Sequence, residues 1–258
     1  MQPSSVKTLI NKVPKITAFF WIIKVLCTTV GETAADYLNS ALNLGLTGTT
    51  VVMGTLLLIF LFIQFRANGY VPWIYWVTVV LISVVGTLIT DNLTDNLGIS
   101  LIATTVFFAV ILMTVFLVWF AYEKTLSIHE INTTRRERFY WLAILFTFAL
   151  GTASGDLLAE NLKRGYFLSA VTFAAMIGLV LLAYKFLNLD AIVAFWIGYI
   201  LTRPLGASIG DYLSQDLKDG GLGFGPEVTS VIFLVAILIT VIYLTKTKRD
   251  FIDLPDRS

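Results

Sequence analysis

The stretch Gly31 to Leu38, GETAADYL, returns three times along the chain: GTLITDNL at 86–93, GTASGDLL at 151–158 and GASIGDYL at 206–213. All four copies fit G-x4-D-x-L, and a further leucine follows at Leu42, Leu97, Leu162 and Leu217. The glycines are spaced 55, 65 and 55 residues apart, so the repeats pair into two halves related by a shift of 120 residues. A period of this size makes each repeat one supersecondary unit of an array, and it constrains the fold before any local propensity does.

The residues between the motifs say what the units are made of. The chain is 57% hydrophobic and 14% charged, with a mean hydropathy of +0.83, which is not the balance of a soluble domain. Runs of about 20 apolar residues, enough to cross a bilayer as a helix, cover 16–38, 46–65, 72–95, 99–122, 139–161, 166–187, 191–215 and 228–245. The expected fold is all-α: a polytopic membrane protein of eight transmembrane helices, built from four two-helix repeats. Two spans per repeat return the chain to the same side, so the repeats are parallel rather than inverted. All four motif helices then run the same way and hold their aspartates at similar depth. The expected division is a first half at 1–122, a linker at 123–137 and a second half at 138–258.

Orientation follows from the basic residues. On the terminal side lie Lys7, Lys12, Lys15, Arg66, Lys124, Arg135, Arg136, Arg138, Lys185, Lys246, Lys248, Arg249 and Arg257, against Lys163, Arg164 and Lys218 opposite. This bias of 13 to 3 places both termini in the cytoplasm. The N-terminus lacks the small-residue cleavage site of a secretory signal, so the first span is expected to be retained. With 17 acids against 18 lysines and arginines, no charge excess points to a nucleic-acid partner.

The motif places an acid beside a seam. Gly31 is followed four residues on by Ala35, Gly86 by Thr90, Gly151 by Gly155 and Gly206 by Gly210. Such small-xxx-small spacing lets membrane helices approach closely, so these glycines are read as packing positions. Each aspartate (Asp36, Asp91, Asp156, Asp211) comes one residue later and points into the bundle, since an acid facing lipid is costly. The leucines two and six residues past each aspartate are expected to pack against neighbouring helices. Glu32, Asp95 and Glu160 add second acids four residues from Asp36, Asp91 and Asp156, hence on the same helical face. Carboxylates this close in a low-dielectric setting need a cation between them or a proton on one. Thr87, Thr152, Asn92, Asn96 and Asn161 enlarge this oxygen-rich set, which suits Mn2+, Mg2+, Ca2+, Na+ or H+. The lone Cys27 and lone His129 rule out a sulfur- or imidazole-rich site.

Lys24 and Arg203 lie inside the first and seventh spans, where a charge is expensive and needs a partner; they are expected to be internal counter-ions to the acids or gating residues. The Arg203-Pro204 pair is expected to break or kink its helix and free backbone carbonyls. The aromatic clusters Phe19-Phe20-Trp21, Trp73 to Trp76, Phe139-Tyr140-Trp141 and Phe195-Trp196 read as a belt at the membrane interface.

The recurring G-[ETA]-x2-[AG]-D-x-L pattern, carried by GETAADYL, GTASGDLL and GASIGDYL, resembles a bacterial family of uncharacterised membrane-anchored proteins with four copies of a short repeat of unknown function. GTLITDNL departs from it at Thr90. The resemblance implies the fold, the topology and a bacterial inner membrane, and leaves function to the residues. Those point to a transporter of a small inorganic cation, Mn2+ foremost and proton-coupled exchange included, rather than to an enzyme, with no cofactor. The metal set is Asp36, Asp91, Asp156, Asp211, Glu32, Asp95 and Glu160. The alternatives are a cation channel, an intramembrane enzyme using paired carboxylates, and a scaffold acting through the 123–138 loop. The partners expected are the lipid bilayer and the cation, with monomer and homo-oligomer both open.

Overall fold

The computed structural model describes residues 11–42 and 44–251, with the side chains of residues 42, 160 and 161 outside the description. It is all-helical: α1 (Ala18–Leu42), α2 (Gly45–Arg66), α3 (Pro72–Asp91), α4 (Leu101–Glu123), α5 (Thr134–Asp156), α6 (Tyr166–Phe186), α7 (Ala191–Ser214) and α8 (Pro226–Thr247). All eight are long and apolar enough to span a membrane, in the positions read from hydropathy.

The odd-numbered helices form an inner ring in which α1 packs on α3, α3 on α5, α5 on α7 and α7 on α1. Each even-numbered helix packs mainly on the odd helix that follows it: α2 on α3, α4 on α5, α6 on α7, and α8 back on α1. The odd spans are 56–78% buried and the even ones only 11–28%. The outer face is apolar, with Leu58, Phe62, Val110, Leu117, Leu179 and Ile239 exposed, as a lipid-facing surface requires.

The motif glycines make the ring. A methyl group on Gly31 would fall 1.7 Å from Ser83 Oγ, and on Gly86 2.8 Å from Phe148 Cβ. On Gly151 it would fall 2.2 Å from Arg203 Cγ, and on Gly206 1.9 Å from Thr28 Oγ1. In every case the residue met lies three positions before the next glycine round the ring. One contact, used four times, therefore closes the bundle with fourfold-like symmetry. Two of these seams, α3–α5 and α7–α1, join residues 1–122 to residues 138–251 by the same glycine contact that operates inside each half.

Closure of the ring turns several expectations around. Phe20, Trp76, Tyr75, Tyr140, Trp141 and Trp196 are buried, not exposed at an interface. Being on inner helices, they pack on one another: Tyr75 meets Trp76 at 5.0 Å and Trp141 at 5.4 Å, and Tyr140 meets Trp196 at 6.3 Å between ring centres. Trp73 is exposed, as a belt residue would be. α7 runs through Pro204 unbroken; the missing N–H costs the Ile200 carbonyl its helical donor without ending the helix. The first leucines of the motifs are half-buried, but Leu97, Leu162 and Leu217 stand exposed. Straight helical spacing does not reach them, because Asn92–Asn96 and Leu157–Asn161 are π-helical and α7 stops at Ser214.

The face carrying both ends of the described chain is tied together by backbone bonds. Lys12 N–H donates to Ile131 O at 3.0 Å, Lys15 N–H to Asp250 O at 2.8 Å and Tyr70 N–H to Asn11 O at 3.2 Å. Lys12 Nζ also pairs with buried Glu137 at 2.7 Å.

Candidate functional site: an axial carboxylate cup

On the opposite face the four inner helices diverge around one cavity of about 330 Å³, lined by Glu32, Asp36, Asp91, Asp95, Asp156, Asp211 and Gln215 among others. Fourfold-like packing explains the convergence: each aspartate sits five residues past a seam glycine, so equivalent side chains meet at the axis. Carboxylate oxygens of Glu32, Asp156 and Asp211 all lie within 4.8 Å of one another. Glu32 and Asp211 are buried, while Asp36, Asp91 and Asp156 are half-buried.

The other expected ligands divide. Asp95 stands exposed at the rim, accepting a hydrogen bond from Thr94 Oγ1 at 2.9 Å. Asn92 and Asn96 point away from the cup into a network with Thr47 and Thr50 of α2. The side chains of Glu160 and Asn161 lie outside the described residues.

The floor of the cup is Arg203, wholly buried. Its guanidinium donates to Glu32 Oε2 at 2.9 Å, Thr152 Oγ1 at 2.6 Å and the Thr28 carbonyl at 3.0 Å, and also bonds Thr87 Oγ1. The repeats explain why it fits. Glu32, Thr87 and Thr152 each directly follow a seam glycine, and the fourth repeat places Ala207 there. Alanine leaves a gap on the axis, and Arg203, one turn earlier on α7, fills it. Thr87 and Thr152, expected as cation ligands, are thus engaged by the arginine. Arg203, expected as a counter-ion, pairs with Glu32 at 2.9 Å.

Lys24 is placed differently. It lies one layer further down, with Thr202 Oγ1 at 3.3 Å and the rings of Tyr199 and Phe148 at 4.1 and 4.3 Å. Among the described residues no carboxylate is within ion-pair distance of it. Helix register accounts for this: Lys24 is seven residues before Gly31 and Asp36 five after, about 18 Å apart along the axis at 1.5 Å per residue.

One signal in the sequence marks the layers below the cup. A tryptophan stands ten residues before every motif glycine, at Trp21, Trp76, Trp141 and Trp196, and an aromatic residue precedes each one. That fixed offset identifies inner-helix packing positions. A separate recess of about 680 Å³ beside α1, α6 and α7 is lined mostly by apolar groups such as Val25, Ile177 and Leu181 and offers no ligand set for a cation.

Ring and cup together define a multi-pass membrane protein of four two-helix repeats around an axial cluster of acids. The chain belongs to the family described as "Repeat of Unknown Function (DUF347)", whose model matches residues 19–70, 74–125, 139–189 and 194–250, one motif in each match. No curated protein and no solved structure matches the chain.

Proposed function

We propose that the protein is a carrier of a small inorganic cation, a divalent metal with Mn2+ foremost, which binds in the cup between Glu32, Asp156 and Asp211 with Asp36 and Asp91 completing the site. The observation that carries this reading is the convergence of six carboxyl groups on one cavity above a single guanidinium. Such a charge surplus is relieved by a cation or by protons, and an all-oxygen donor set selects hard ions. The excess of lysine and arginine on the terminal face supports an orientation in which that face is cytoplasmic and the cup opens outward in an inner membrane.

The closed floor favours a carrier over a channel. Arg203, then Lys24, then Phe20, Tyr75 and Tyr140 fill the axis, all of them buried. Alternating access by rocking 1–122 against 138–245 would open the α3–α5 and α7–α1 seams and expose the cup below. Intramembrane hydrolysis is the weaker reading, since no activated nucleophile accompanies the acids.

Flux into proteoliposomes, read by Mn2+ quenching of trapped calcein, tests this. Wild-type protein should admit Mn2+, and Asp156→Asn and Asp211→Asn should each abolish entry while the fold persists. Equal entry in wild type, both variants and empty liposomes would rule the carrier out.

A further inference from the structure

Below the cup lies a second set of buried polar groups that has no part in holding a cation. The groups facing the Lys24 ammonium are Thr202, Tyr199 and Arg203 of α7, Phe148 of α5 and Cys27 of its own helix. The Tyr199 hydroxyl is buried and, among the described residues, has no hydrogen-bond partner. One layer further from the cup the hydroxyls of Tyr75 and Tyr140 share a hydrogen bond. The Tyr199 and Tyr140 rings both pack on Trp196, at 5.7 and 6.3 Å. The Tyr70 ring meets Tyr75 edge-on at 5.6 Å, and its hydroxyl donates to Asp250 on the terminal face.

Packing alone does not call for these hydroxyls. Phe20 and Phe195 fill the positions of Tyr75 and Tyr140 in the first and fourth repeats, and Val79 and Ile144 fill the layer shared by Lys24 and Tyr199. All four are buried. The apolar choice is available at each layer of the ring, yet the polar residues line up on one route.

We propose that Lys24, Tyr199, Tyr140, Tyr75, Tyr70 and Asp250 form a proton path from beneath the cup to the terminal face, which makes H+ the ion exchanged against the cation. The path rests on the carrier reading for its purpose. A cation arriving in the cup adds positive charge next to Arg203, and Lys24 responds by releasing one proton. Tyr199 oxygen takes that proton as its own hydrogen passes to Tyr140, and the hops continue through Tyr75 and Tyr70 to a carboxylate oxygen of Asp250. One N–H bond breaks and one O–H bond forms; the ammonium becomes an amine, the carboxylate a carboxylic acid, and no tyrosine keeps a charge. The unbonded Tyr199 hydroxyl is the movable link. At the far end, burial raises the Asp250 carboxyl above its ordinary value, against the opposing effect of the Tyr70 bond, which suits a proton acceptor.

The test uses Tyr140→Phe and Tyr199→Phe, which keep the ring and remove one oxygen each. In proteoliposomes holding a pH-sensitive dye, Mn2+-dependent proton movement should fall about tenfold or more in each variant, while Mn2+ binding to the purified protein stays at the wild-type level. Proton movement equal to wild type in both variants would overturn the path. If the wild-type protein binds no Mn2+, the carrier reading alone fails, and proton movement driven by a valinomycin-imposed potential decides. Its loss in the phenylalanine variants supports the path; its equality in all three proteins, or its absence from all three, refutes it.

Discussion

Gly151 and Arg203 occupy each other's space: a methyl group on the glycine would lie 2.2 Å from Arg203 Cγ and 2.5 Å from its Cβ. The seam glycine of the third repeat is therefore what lets the arginine stem pass onto the axis. Gly151→Ala should displace the guanidinium from Glu32 and cost about 1–3 kcal/mol through overpacking. Gly206→Ala, which meets Thr28 Oγ1 at 1.9 Å and the Thr29 backbone nitrogen at 3.0 Å, should cost as much or more. Gly54 of α2 has open space where a Cβ would go, and its alanine variant should gain about 0.5–1 kcal/mol from reduced chain entropy. Thermal unfolding in detergent ranks the three.

Arg203 and Glu32 form a buried pair at 2.9 Å, so removing either side leaves a charge without its partner. Arg203→Met should destabilise the fold by about 3–5 kcal/mol, and Glu32→Gln similarly, whereas the double variant should cost less than the sum of the two. Additive losses in the double-mutant cycle would show that the pair is not coupled. The same Arg203→Met protein, reconstituted in liposomes, should stay closed to small cations, because Lys24, Phe20, Tyr75 and Tyr140 still fill the axis below the cup.

The repeat frame made most of this architecture readable from residues alone. Gly31, Gly86, Gly151 and Gly206 carried the seams, and Asp36, Asp91, Asp156 and Asp211 carried the cup, because a fixed offset between a packing glycine and an acid survives any detail of helix tilt. What hydropathy does not distinguish is an apolar residue facing lipid from one facing another helix. Tyr75, Tyr140 and Trp196 therefore looked like a belt until ring closure turned them inward. Lys24 and Arg203 looked equivalent as buried cations. Only the three-dimensional register separates them, through the gap left by Ala207, which admits Arg203 and leaves Lys24 among rings.

The tail contact should respond to pH. Burial raises the Asp250 carboxyl from its ordinary value, and Tyr70 is raised as well, by burial first and by the Asp250 charge next. A carboxyl raised in the folded state stabilises the tail contact while it is protonated, and that contribution is lost as pH climbs through the raised value. Hydrogen exchange at residues 248–251 should accordingly quicken, beyond the intrinsic base-catalysed trend, as pH rises above about 4. Asp250→Asn, which stays neutral and keeps an acceptor for Tyr70, should flatten that excess; an unchanged profile would contradict the assignment.

The central claim is that the acids at the axis hold a cation, and Mn2+ titration of the purified protein, read from the electron paramagnetic resonance signal of the free aquo-ion, tests it most directly. The expected result is saturable loss of the free-ion signal with wild-type protein, with affinity falling about 10- to 100-fold in Asp156→Asn and Asp211→Asn as charge leaves the site. A free-ion signal undiminished by wild-type protein, or diminished equally by both variants, would contradict it.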